Sequence, residues 1–119
     1  MNVEKLRSLL AAKKGAVEEY PFGPQAMVFK AGGKIFAIVG VDDAPTPLSL
    51  KCDPLEAEAL RAEYPAITPG YHLNKRHWNT VRLDGTVPDE LVVDMIDSSY
   101  DLIVASLPRA ERERLRKAK

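Results

Sequence analysis

Two runs rich in β-branched and aromatic residues, Ala26 to Lys30 and Lys34 to Val41, stand on either side of the pair Gly32 and Gly33. Glycine reaches positive φ without a side-chain clash, and a two-residue hairpin loop needs that freedom. The segment therefore commits the middle of the chain to an antiparallel hairpin. Such a hairpin is stable only when further strands or helices cover its apolar face.

The rest of the chain supplies them. Val17 to Tyr20 reads as a short strand ahead of the Pro21–Pro24 turn, and Leu48 to Cys52 as another after the loop Asp42 to Pro47. Ile67 to Leu73 and Trp78 to Leu83 form a second hairpin joined by Asn74, Lys75, Arg76 and His77. Val3, Leu6, Leu9 and Leu10 fall on one helical face, which predicts a helix over Asn2 to Lys14 with Gly15 as its C-cap. Asp53 as N-cap, Pro54 at the first helical position and Glu56 three residues on predict a helix over Pro54 to Glu63. Leu91, Met95, Ile96, Leu102 and Ile103 keep a stripe through a helix from Pro88 to Ser106, and Pro108 opens a charged C-terminal helix. With 119 residues and no repeat or linker, the expectation is a single α+β domain over residues 1–119, helices packed on an antiparallel sheet.

Composition excludes several classes. Hydrophobic residues are 45% and charged residues 29% of the chain, ordinary globular usage. The longest apolar runs fall far short of the roughly 20 residues of a spanning helix, so no membrane association is expected. The N-terminal segment carries Glu4, Lys5 and Arg7 instead of an apolar signal region, and Cys52 is the one cysteine. A reducing, cytoplasmic setting and a monomer are expected. Net charge is zero, but residues 109–119 carry +4 and the remainder −4. Thr86 to Leu107 holds Asp89, Glu90, Asp94, Asp97 and Asp101 with no Lys or Arg, a face that repels phosphate.

Side chains alternate between the two faces of a strand. Val81 and Leu83 should face the core with Leu48, Leu50 and Cys52, leaving Trp78, Thr80, Arg82, Ser49 and Lys51 on the other face. If both strands share a sheet, Lys51, Trp78, Thr80 and Arg82 make one surface suited to stacking on a planar ligand. Trp78 reads equally as core under a loop. The tip Asn74–His77 reads either as a phosphate-contacting loop or as a solvated hairpin end. His72, His77 and Cys52 lack zinc-motif spacing, an inward Cys52 is a poor nucleophile, and no glycine-rich phosphate loop occurs. Asp94, Asp97 and Asp101 read as a solvated helix surface. No catalytic residue, metal or cofactor is expected, and the chain is not read as an enzyme.

The segments "PFG" (Pro21–Gly23), "GGKIFA" (Gly32–Ala37), "LKCDP" (Leu50–Pro54), "PGYHLNKRHWNTVRLDG" (Pro69–Gly85) and "SYDLIVASLP" (Ser99–Pro108) occur in order, and the whole chain resembles the MmcQ/YjbR family. The resemblance implies a fold like that of CyaY and the type III secretion chaperones, of order α-β(3)-α-β(2)-α. It also implies DNA binding through two hairpin wings, here around Ala31–Lys34 and Asn74–His77. The expected contacts are Lys34, Lys51, Asn74, Lys75, Arg76, His77, Trp78, Thr80 and Arg82, giving weak, salt-dependent DNA binding. Lys34, Lys75, Arg76 and Arg82 would meet phosphates while Trp78 stacks on a base or braces the wing. The alternatives are a protein-interaction module of secretion-chaperone-like shape and a small-ligand sensor.

Overall fold

The computed structural model describes residues 1–70 and 73–118. In chain order the elements are α1 (Val3–Ala11), β1 (Val17–Glu19), β2 (Ala26–Ala31), β3 (Lys34–Gly40), β4 (Pro47–Lys51), α2 (Pro54–Glu63), β5 (Ile67–Pro69), β6 (Trp78–Arg82), α3 (Asp89–Ala105) and α4 (Arg109–Arg116). The six strands form one antiparallel sheet in the order β1-β2-β3-β4-β6-β5. This is the expected α+β architecture. It carries two elements beyond the eight of the order implied by the resemblance, the short edge strand β1 and the C-terminal α4, both legible in the sequence.

Local chemistry sets the helix boundaries. Asn2 Oδ1 accepts from Lys5 N–H at 2.8 Å and opens α1, whose Leu6 and Leu10 are fully buried one turn apart. That helix stops at Ala11 instead of continuing to Lys14, and Ala12 rather than Gly15 is its C-cap. Gly15, at φ +74°, serves another need: a Cβ there would sit 2.9 Å from Cγ of Leu115, so glycine lets α4 close onto the chain. Asp53 Oδ1 accepts from Leu55 and Glu56 N–H at 3.1 and 3.4 Å, and α2 runs over the predicted residues.

The β2–β3 turn is the predicted two-residue loop, with Gly32 and Gly33 at φ +58° and +82° and Ala31 paired to Lys34. Further along, Phe29 pairs with Ala37 but Lys30 with Ile35, so Phe36 is the extra residue of a β-bulge. The bulge leaves the Phe36 carbonyl and the Lys51 N–H beyond the last β3–β4 pair, and the Ser99 hydroxyl of α3 meets both. It donates to Phe36 O at 2.6 Å and accepts from Lys51 N at 2.9 Å. A fully buried serine in the middle of an apolar stripe is thereby satisfied.

One hydrophobic core gathers residues from all four helices and one sheet face, including Leu6, Phe29, Phe36, Val39, Leu48, Leu50, Val81, Ile96 and Leu115. Phe36 meets Tyr100 of α3 edge-on at 5.4 Å. Cross-strand register places Glu19, Val28, Ile38, Ser49, Thr80 and Thr68 in a single row across the opposite face. None of these six belongs to the helical core, so the helices cover one face and leave the other as an open platform. The platform is not uniformly wet: Val28 is fully buried within it.

Candidate functional site

The open face is assembled by alternation along β4 and β6. Lys51 pairs with Trp78, Ser49 with Thr80 and Pro47 with Arg82. Lys51, Trp78 and Arg82 thus share the face away from the helices, as the period of two predicts, and Val81 is fully buried on the other side. Trp78 and Lys51 are half-buried and Arg82 is exposed. Trp78 is therefore not core beneath the helical layer. Gly70 N–H donates to the Trp78 carbonyl at 2.8 Å, and a Cβ on Gly70 would meet the Trp78 Cβ at 2.8 Å, so glycine permits this backbone to close against the tryptophan.

The turn before β6 supplies two more cations. Lys75 and Arg76 are exposed, and among the described residues Lys51, Lys75, Arg76 and Arg82 enter no salt bridge. Asn74 is exposed, and its Oδ1 accepts from Arg76 N–H at 3.0 Å and shapes the turn. The half-buried His77 acts through its backbone, its carbonyl accepting from Cys52 N–H at 2.7 Å. Thr80 points to the open face but is only 9% exposed, its hydroxyl bonded to Ser49 at 2.8 Å, which removes it from the set of accessible contacts.

Lys34 lies on the other hairpin turn and is exposed. Its ammonium lies 3.3 Å from the Ser106 hydroxyl and 3.4 Å from the Ser106 carbonyl, at the C-terminal end of α3, where a cation satisfies unpaired carbonyls and the helix dipole. A Cβ on Gly32 would meet Leu107 Cδ1 at 2.6 Å. The first turn is thus tight and packed against α3's exit instead of projecting as a free wing.

The turn's anchor is a residue that the strand pattern did not single out. Arg61, in the last turn of α2, donates from Nε to Oδ1 of Asn79 at 2.6 Å and from Nη2 to the Lys75 carbonyl, with a longer bond to Trp78 O at 3.4 Å. Asn79 is 0% exposed and its amide reaches Ala57 O at 3.4 Å. A buried amide at an inward strand position demands a polar partner, and that was the available signal.

Cys52 is buried and its thiol is pushed up to about 11, first by burial and then by the charges of Glu56 and Asp53. This is the environment of an inert thiol, not a nucleophile. Among the described residues no three His, Cys, Asp or Glu side chains gather as a metal set. His72 and Tyr71 lie outside the described residues. On α3, Asp94 and Asp101 are exposed as expected, while Asp97 pairs with Lys13, which also lies 5.6 Å from the centre of the Tyr100 ring.

A family model described as YjbR matches residues 11–102. The chain is 36% identical over 115 residues to the Escherichia coli protein YjbR, covering 97% of this chain and 98% of that one. It is 38% identical over 97 residues to Escherichia coli YbdF, covering 82% and 80% respectively. A Deinococcus radiodurans crystal structure with the DUF419 domain superposes with a TM-score of 0.92 at 41% identity, over 97% of this chain and 88% of that one. A Pseudomonas syringae crystal structure gives 0.75 at 26% identity, over 87% and 99%. With both sequence and fold shared along nearly its whole length, the chain belongs to the YjbR family.

Proposed function

We propose that the protein is a nucleic-acid-binding module whose open sheet face is the platform, with Trp78 stacking on a base and Lys51, Lys75, Arg76 and Arg82 meeting the phosphates. The observation that carries the reading is the register of Lys51 with Trp78, with Arg82 two pairs along on the same helix-free face. A half-buried aromatic on the helix-free face, flanked by cations that enter no salt bridge among the described residues, suits a splayed single strand, since every base offers a π-face. The contacts of Lys34 with Ser106 favour one end of one sheet face over two wings gripping a duplex.

Trp78 is the sole tryptophan, so its fluorescence reports directly on the platform. Titration with single-stranded DNA should quench it. Four engaged cations imply a log–log salt slope of about −3, roughly a 50-fold loss of affinity between about 50 and 200 mM salt. Alanine at Lys75 and Arg76 together should flatten that slope by about 1.4. A salt-independent titration, or no response of Trp78, would overturn the reading.

A second reading, a protein-interaction module, is favoured by Leu55, 78% exposed at the start of α2 between Asp53 and Glu56. Those two acids line a groove with Ser98, Asp101, Leu102 and Ala105 of α3. Replacing Leu55 and Leu102 by Ser would abolish that interaction and leave the platform's titration unchanged.

A further inference from the structure

The helical layer carries a second concave site, remote from the open face. A solvent-connected cavity of about 160 Å³ lies where the segment after α1 meets α3 and α4, lined by Lys14, Tyr100, Val104, Arg112, Leu115 and Arg116. Three of its six lining residues are cations and none is an acid.

The placement is unusual for α4. An amphipathic surface helix normally turns apolar residues toward its support, yet here only Leu115 is buried, and Arg112 and Arg116 flank the same cavity one turn apart. Like charges four residues apart on a helix repel, and Lys14 adds a third. Internal neutralisation is slight: Arg116 Nη1 is 3.6 Å from Glu113, Arg112 reaches the Ala105 carbonyl only at 3.5 Å, and Lys14 enters no salt bridge among the described residues. The Tyr100 hydroxyl is already committed, donating to the Lys14 carbonyl and tying the cavity's rim to its floor.

Cations around a partly apolar floor match a molecule with one anionic group and one small apolar body. A guanidinium presents a planar fork of donors that fits the oxygens of a phosphate or carboxylate. Tyr100, Val104 and Leu115 offer a surface for a ring or short chain. A cavity of roughly 150 Å³ elsewhere takes up benzene, which sets the scale at about one ring. We infer that this cavity binds a small organic anion, a phosphate or carboxylate carried on a body of about one aromatic ring, with Arg112 and Arg116 as the anion clamp and Tyr100, Val104 and Leu115 as the apolar seat.

The test is a two-dimensional NMR titration of the full chain with phenyl phosphate, beside benzoate, benzyl alcohol and inorganic phosphate. Phenyl phosphate and benzoate should give saturable shifts centred on Lys14, Tyr100, Val104, Arg112, Leu115 and Arg116, leaving Trp78 unmoved. The two partial probes should bind at least tenfold more weakly. Arg112 and Arg116 are exposed, so an Arg112→Gln/Arg116→Gln variant should keep the melting temperature of the free protein while losing at least tenfold in affinity. Non-saturating shifts spread over Arg109, Arg114 and Lys117 would overturn the inference. So would undiminished binding by the double variant, or benzyl alcohol or inorganic phosphate binding as tightly as phenyl phosphate. Because Trp78 reports the open face separately, failure here and failure of the platform reading are distinguishable.

Discussion

Removing the Arg61 side chain tests whether α2 holds the basic turn in place. In Arg61→Ala the buried Asn79 Oδ1 loses a 2.6 Å bond from a charged donor, and the Lys75 and Trp78 carbonyls lose their shared tether. A hydrogen bond to a charged group contributes about 1.5–3 kcal/mol, and stranding a buried acceptor costs about 1–3 kcal/mol. These overlap, because the first figure already contains part of the second, and Arg61 is itself half-buried, so solvent recovers part of the loss. The expected destabilisation is about 3 kcal/mol, a drop of about 10 °C in melting temperature for a domain of this size. Urea unfolding followed by Trp78 fluorescence measures it. Asn79→Ala should cost a similar amount, and the double variant should cost far less than the sum, since the two residues serve one network. Arg61→Lys keeps the charge but loses the fork, and should recover only part of the stability. A loss below about 0.5 kcal/mol for Arg61→Ala, the range of ordinary surface substitutions, would refute the clamp.

Other substitutions separate local causes. Gly32→Ala should cost about 2–3 kcal/mol, combining left-handed backbone strain with displacement of Leu107, whereas Gly33→Ala, with nothing within 4 Å of its Cβ, should cost about 1 kcal/mol in denaturant unfolding. Cys52 should resist a thiol-specific reagent at about pH 8 until denaturant is added, and fast stoichiometric labelling of the native chain would contradict its burial. Glu18 is held below its ordinary carboxylate value, first by the hydrogen bond from Arg7 and further by the Tyr20 hydroxyl. A depressed folded-state pKa stabilises the fold above the unfolded value, and that contribution is lost as pH falls through the folded one. Glu18→Gln should therefore flatten the acid limb of a melting-temperature profile, and also the limb above about pH 10, because the same carboxylate holds Tyr20 and Arg7 above their ordinary values.

How much was legible depends on the range of the cause. Asp53 and Pro54 act within one turn, and α2 has the predicted bounds. The period of two along Trp78–Arg82 is equally local, so the open and covered faces were readable. Contacts across the fold were not. Lys34 meets Ser106 from 72 positions away, and no local pattern distinguishes such an anchor from a solvated lysine. Ser99 interrupts an apolar stripe with no local reason, since its partners are strand groups exposed by a bulge. Of the strand expected over Ile67 to Leu73 the structure shows β5 over Ile67–Pro69 and one further bond from Gly70 N–H to the Trp78 carbonyl, while residues 71 and 72 lie outside the described residues. The Arg61–Asn79 pair lies between, because an inward asparagine signals that a partner exists without naming it.

The two outermost strands limit how this molecule can associate. Both have three residues: β1 bears Glu18 and Glu19, tied to Arg7 and Lys30, and β5 ends in proline. A short rim that is charged at one side and lacks a donor at the other offers poor templating for an added strand, the usual route to fibrils, swapped dimers and peptide capture by augmentation. A partner that binds by adding a strand is therefore disfavoured at both rims, and on the proposed platform a ligand would lie across the strands and meet the side chains of Lys51, Trp78 and Arg82.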